Sequence, residues 1–143
     1  MTQEQKDLLL KDLCERLPYG VKCTVYSDTD IHKLSGVVYE GNPCELYFKE
    51  LDWKECDGYV RVEYCKPYLF PLSSMTEEQK KESPFESSLL NAFINGSISL
   101  FEDEELTADD IVGMLDWLNE NHFDYRNLID KNLAIDATGL NIY

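Results

Sequence analysis

Between Val21 and about Phe70 the apolar residues recur at every second position, and on both sides of that block they recur at helical spacing. A period of two sends alternate side chains to opposite faces of an extended chain, so the block belongs in a sheet with one face covered. Val21, Cys23 and Val25 alternate with Lys22, Thr24 and Tyr26, and a second candidate strand covers Lys33 to Glu40. Cys44, Leu46 and Phe48 alternate with Glu45, Tyr47 and Lys49, and Val60, Val62 and Tyr64 with Tyr59, Arg61 and Glu63. Polar residues 27–30, Gly41-Asn42-Pro43 and Asp57-Gly58 supply turn chemistry between these runs. The pattern predicts a small antiparallel β-sheet over about residues 21–70 or, if the sheet bends strongly, an SH3-like barrel. Pro67 and Pro71 have no N–H to donate and are expected to break the ladder.

The flanks read as helix. Thr2 and Gln5 have the form of a capping box, and Leu10, Leu13, Cys14 and Leu17 then make one apolar stripe that ends at Leu17-Pro18. After Pro71, Thr76 with Gln79 opens a short helix. Ser83-Pro84-Phe85-Glu86 predicts another, carrying Phe85, Leu89 and Phe93 and stopped by Asn95-Gly96. Ile98, Leu100 and Phe101 suit a short strand or a docked loop. Thr107 opens the clearest helix, with Ile111, Met114, Leu115 and Leu118 as its buried stripe and Trp117 beside them. A last helical segment is expected from about Tyr125 to Leu133. No repeat or low-complexity linker interrupts the 143 residues, so the expectation is one α+β domain: the sheet, an N-terminal helix, and a helical C-terminal half packed on it.

Charge narrows the function classes. The formal net charge is −15, and residues 82–143 hold 13 of the 28 acids but only 2 of the 13 Lys and Arg. Such a surface repels phosphate backbones and anionic membranes, so direct nucleic-acid and membrane binding are disfavoured, while a basic protein partner fits. No run approaches a membrane span, and the acids and lysines within residues 1–13 are unlike a secretory signal. The setting expected is cytoplasmic, with reduced thiols. The five cysteines lie 9, 21, 12 and 9 residues apart with no C-x-x-C pair and two histidines in all, a spacing that makes no zinc site.

Glu102, Asp103, Glu104 and Glu105, followed by Asp109 and Asp110, form the densest acidic cluster and are the candidate partner-binding residues. The run lacks the glycine and alternating oxygens of a calcium loop, and carboxylates at a helix N-terminus are also favoured by the helix dipole. No metal or cofactor is therefore expected. His122, with Asp124 or Glu120 to orient it, has the composition of a general base, but the sequence places no nucleophile beside it. G-x-S-x-G, H-E-x-x-H and a phosphate-cradling glycine loop are all absent. The tyrosines around the sheet (Tyr39, Tyr47, Tyr59, Tyr64 and Tyr68) could stack bases, yet lysines and arginine there are interleaved with acids. Cross-strand aromatic pairing accounts for them more simply.

KPYLFPLSSMTEEQKKE at Lys66–Glu82, DWLNENHFDYRNLIDKNLAI at Asp116–Ile135 and the opening DLLLKDLCERLPYGVK resemble a group of uncharacterised small acidic proteins of bacteriophages and mobile elements in gut anaerobes. That group has no assigned activity, so the resemblance implies a bacterial or phage cytosolic setting and transfers no residue roles. The expectation is a non-catalytic accessory or interaction protein with an acidic surface. The alternatives are an anti-defence inhibitor that imitates DNA and, with least support, an enzyme using Cys and His.

Overall fold

The computed structural model describes residues 1–26, 29–38, 45–51, 57–95 and 107–143, and its longest strand contains both prolines. Strand β6 (Cys65–Pro71) runs antiparallel to β1 (Lys22–Val25), which in turn pairs with β2 (His32–Lys33). On its other side β6 pairs in parallel with β7 (Phe123–Asp124) and β8 (Ile135–Asp136), completing a five-stranded mixed sheet. The expectation that Pro67 interrupts the ladder is therefore corrected, and the register supplies the reason. Tyr26 N donates to Tyr64 O at 2.9 Å, so by antiparallel alternation Thr24 and Lys66 form a hydrogen-bonded pair and Cys23 and Pro67 a non-bonded one. The Pro67 nitrogen thus points away from β1, and the parallel pairing opposite begins only at Tyr68.

A second, three-stranded antiparallel sheet comprises β3 (Gly36–Val38), β4 (Glu45–Tyr47) and β5 (Tyr59–Arg61). The strand expected from Lys33 onward divides at Leu34-Ser35. Leu34 N donates to Val21 O in the first sheet, and Ser35 N donates to Tyr47 O in the second. Residues 21–70 hence form parts of two sheets around one core rather than a single meander. That core joins Val21, Cys23, Cys65 and Leu69 to Leu34, Leu46, Phe48 and Val60. Among the strand and loop readings, residues 41–43 and 98–101 lie outside the described residues.

Helix α1 (Gln3–Arg16) carries the capping box of Thr2 and Gln5 and packs on that core. Its buried stripe is Leu9, Asp12, Leu13 and Arg16, one position earlier than the apolar pattern predicts, with Cys14 exposed. The displacement has a polar cause: Arg16 is drawn inward to donate to Phe123 O. Helix α2 (Glu77–Glu82) begins with the expected box of Thr76 and Gln79. Ser83 Oγ accepts from Phe85 N, making a turn, so α3 (Ser87–Ile94) starts later than a cap at Ser83 would place it.

Helix α4 (Ala108–Glu120) buries Met114, Leu118 and Asn119. Met114 and Leu118 join Met75, Leu90 and Phe123 in a second apolar cluster. Ile111 is exposed and Leu115 half-buried, so the buried face is rotated from the predicted stripe. No helix forms over 125–133. The Asp124 carboxylate accepts from Leu128 N and Ile129 N, and Asn127 and Asn132 adopt φ of +56° and +58°. These contacts fold the segment into turns that return the chain to β6 as β8. The architecture is α+β.

Because Leu118 is fully enclosed and Leu115 is not, Leu118→Ala should cost about 2–5 kcal/mol in urea denaturation and Leu115→Ala less than about 1 kcal/mol.

Candidate functional site

The first turn of α4 holds the described part of the acidic cluster; Glu102, Asp103, Glu104 and Glu105 lie outside the described residues. Asp110 Oδ2 accepts from Thr107 N at 3.0 Å and from Thr107 Oγ1 at 2.6 Å, and Asp110 N donates back to Thr107 Oγ1 at 3.2 Å. These Thr107 hydrogen bonds hold the Asp110 carboxyl below its ordinary range. Asp110 is therefore a helix cap, satisfying N–H groups that the helix leaves open. Asp109 beside it is exposed.

The strongest polar arrangement lies elsewhere, beneath α1. Arg16 Nε donates to Asp12 Oδ2 at 2.8 Å and Arg16 Nη2 to Asp12 Oδ1 at 3.2 Å, with both side chains fully buried. Arg16 Nη2 also donates to Phe123 O at 2.7 Å, fastening α1 to the start of β7. A second guanidinium, Arg126, lies 3.4 Å from Asp12 Oδ1 and donates to Glu15 Oε2, which also accepts from Tyr125 OH at 2.7 Å. Burial dominates Asp12 and raises its carboxyl in spite of Arg16 and Arg126. Burial pushes Glu15 the same way, but the Tyr125 and Arg126 hydrogen bonds outweigh it and hold that carboxyl low. Burial and the Glu15 contact push the Tyr125 phenol up to about 12. Asp12 and Arg16 are sealed from water while Arg126 and Glu15 reach the surface, and a charge-balanced group such as this serves to position elements. Composition and motif did not reveal it. The signal was the i,i+4 pair Asp12 and Arg16 set among Leu9 and Leu13.

His122, at φ +58°, follows the end of α4, and its ring stacks on Tyr143 with centroids 3.8 Å apart. The Tyr143 hydroxyl accepts from Lys22 N at 3.1 Å and donates to Tyr68 O at 2.9 Å, bridging β1 and β6 where their ladder would continue. Burial, followed by the positive charges of Arg16 and Lys22, lowers the His122 imidazole to about 4, so the ring is neutral near pH 7. Asp124 uses both oxygens on backbone N–H groups, and His122 Nδ1 has no partner among the described residues. The orienting carboxylate that a general base requires is thus missing there.

The surroundings of Cys14 and Cys23 work against a nucleophilic thiol. Partial cover from neighbouring atoms, then Glu15, raises the surface thiol Cys14, and burial together with Cys65 raises Cys23 well above its ordinary value; both shifts disfavour thiolate. Cys44 and Cys56 lie outside the described residues. Among the described residues no group of His, Cys, Asp and Glu could hold a metal ion, and no helix is long and apolar enough to cross a membrane. Tyr47 and Tyr59 are directly opposed on β4 and β5, with rings 5.3 Å apart, as cross-strand pairing requires.

Most charged side chains exposed among the described residues of 82–143 are acids. The two cations of residues 82–143 are Arg126 and Lys131. Arg126 is held by Asp12 and Glu15, and Lys131 Nζ donates to the carbonyls of Arg126 and Asn127. Asp109, Asp116, Glu120, Asp130 and Asp136 are exposed, and none is ion-paired among the described residues. Beside Asp116, a groove of about 330 Å³ runs between the end of α1 and α4. Comparison with protein-family models, with curated proteins and with solved structures finds no match to the chain.

Two outcomes follow from this geometry. Arg16→Met leaves Asp12 enclosed with only Arg126 nearby and should cost about 3–5 kcal/mol in urea denaturation, whereas Asp12→Leu combined with Arg16→Met should cost much less. For His122, a folded value of about 4 against about 6.5 unfolded means that its contribution is complete above pH 6.5 and is lost as pH falls through 4. A proton-resolved titration should give a midpoint near 4 for this ring. The acid-dependent loss of stability that disappears in His122→Phe should be about 1–3 kcal/mol, discounted for partial solvent screening.

Proposed function

We propose that the chain is a non-catalytic interaction protein whose acidic surface engages a basic protein partner, in a bacterial or phage cytosol. One observation carries the reading. Arg126 is held by Asp12 and Glu15 and Lys131 by backbone carbonyls, so the exposed carboxylates Asp109, Asp116, Glu120, Asp130 and Asp136 have no ion-pair partner among the described residues. Unpaired surface charge destabilises a compact chain by self-repulsion, and it accelerates encounter with a partner of opposite charge. The raised thiols and the unoriented imidazole support binding over nucleophilic catalysis.

Affinity capture with the immobilised chain, repeated with Asp109→Asn, Asp116→Asn and Glu120→Gln combined, tests the reading. The expected result is a basic protein retained at low salt, released by about 0.5 M salt where screening shortens to a few ångströms, and lost from the variant. Retention of the same proteins by wild type and variant at all salt concentrations counts against these carboxylates. Competition of the captured partner by duplex DNA would assign the chain to the DNA-imitating inhibitors, the second reading that the charge supports.

A further inference from the structure

The groove between α1 and α4 has features that a solvated acidic face does not require. Val112, Leu115, Asp116 and Asn119 share one wall at helical spacing, and Pro18 and Tyr19 face them. Ile111 and Val112 are adjacent apolar residues left 46% and 57% exposed. Asn119 is only 3% exposed, yet its Oδ1 has no hydrogen-bond partner among the described residues. Asp116 lines the groove and Glu120 follows it one turn later on α4, both exposed, and burial and then these two carboxylates push the Tyr19 phenol up.

We propose that this groove is the docking surface for a basic amphipathic helix of a partner protein. The proposal rests on the interaction reading above and adds the place and the chemistry. One large apolar side chain of the partner lies between Tyr19 and Val112, and Lys or Arg residues one turn away meet Asp116 and Glu120. The volume of about 330 Å³ is at the small end of the roughly 300–1,000 Å³ typical of ligand pockets, suited to one anchoring side chain. A helix satisfies its own backbone and can present such an anchor with cations at i+3 or i+4. Charge decides against the other occupants. A second copy brings another −15, and residues 102–105 of this chain bring four carboxylates to a rim that is already negative.

Fluorescence anisotropy with labelled peptides tests the assignment. The probes are a leucine–lysine peptide at amphipathic helical spacing and a serine–lysine peptide of equal charge, both at about 50 mM salt. The wild-type chain should bind the leucine–lysine peptide about tenfold more tightly than the serine–lysine peptide. Val112→Lys and Asp116→Lys should each weaken it about tenfold, while Asp130→Asn with Asp136→Asn stays within about twofold. Val112 and Asp116 are exposed, so the variants keep the fold, which circular dichroism verifies; chemical-shift mapping on the wild type should centre on Tyr19, Val112 and Asp116. Undiminished binding by the groove variants with loss in Asp130→Asn and Asp136→Asn overturns the groove and leaves the interaction reading standing on another face. Failure of both peptides to bind overturns both. A dimer in sedimentation equilibrium that Val112→Lys dissolves overturns the basic partner in favour of a second copy.

Discussion

The buried pair of Arg16 and Asp12 fixes how the ends of the fold meet. An arginine removed from water demands a carboxylate and further acceptors, and here Asp12 and the Phe123 carbonyl serve Nε and Nη2, while Nη1 has no partner among the described residues. The demand sets the rotation of α1, since both members of the pair must face inward along with Leu9 and Leu13. It also fixes the entry of β7 onto the central sheet, because Phe123 supplies the acceptor and pairs with Phe70. Arg126 then leans on the same carboxylate from the other side and carries Glu15 and Tyr125 with it. An apolar replacement of the whole group would hold the same volume, but it would not specify which carbonyl α1 must find.

The arrangement of polar groups inside explains the character of the outside. Arg126 serves Glu15 and Lys131 serves two backbone carbonyls, which leaves the exposed acids described in that half to water. Asp124 is the exception, buried because two backbone N–H groups meet its oxygens. Asp110 is a milder case, its charge spread over the cap of α4. The acidity of the surface is thus the remainder after a few ionic groups have taken structural posts, and Asp109, Asp116 and Glu120 of that remainder stand on α4.

Local chemistry was the legible part of the sequence. The helix starts at Thr2-Gln5, Thr76-Gln79 and Thr107, strands near β1, β4 and β5 and the α+β class follow from spacing alone, because those signals are decided within a few residues, although Val62–Tyr64 forms a 3-10 turn where the alternation predicts strand. Long-range pairing was not legible. Pro67 reads as a breaker unless it is known to occupy a non-bonded position opposite Cys23. Residues 125–133 carry an apolar pattern compatible with helix, and only the Asp124 side chain and two left-handed asparagines turn it otherwise. For the site, spacing marked Asp109 and Asp110 at a helix start, but the open wall along Val112 and Asn119 depends on where α1 passes. A stripe of Ile111, Met114, Leu115 and Leu118 looks equally apolar whichever side faces the core.

The pairing of β6 also governs the order of assembly. Its neighbour β1 is made before it, but the strands that cover its other edge lie more than fifty residues further along the chain. Contacts so distant in sequence close slowly, because a long loop must be ordered before they form. Until residues 123–136 dock, the central strand has an open flank of backbone donors and acceptors, the kind of edge on which chains misassociate. During synthesis this protein therefore passes through an interval in which its future centre is its most adhesive border.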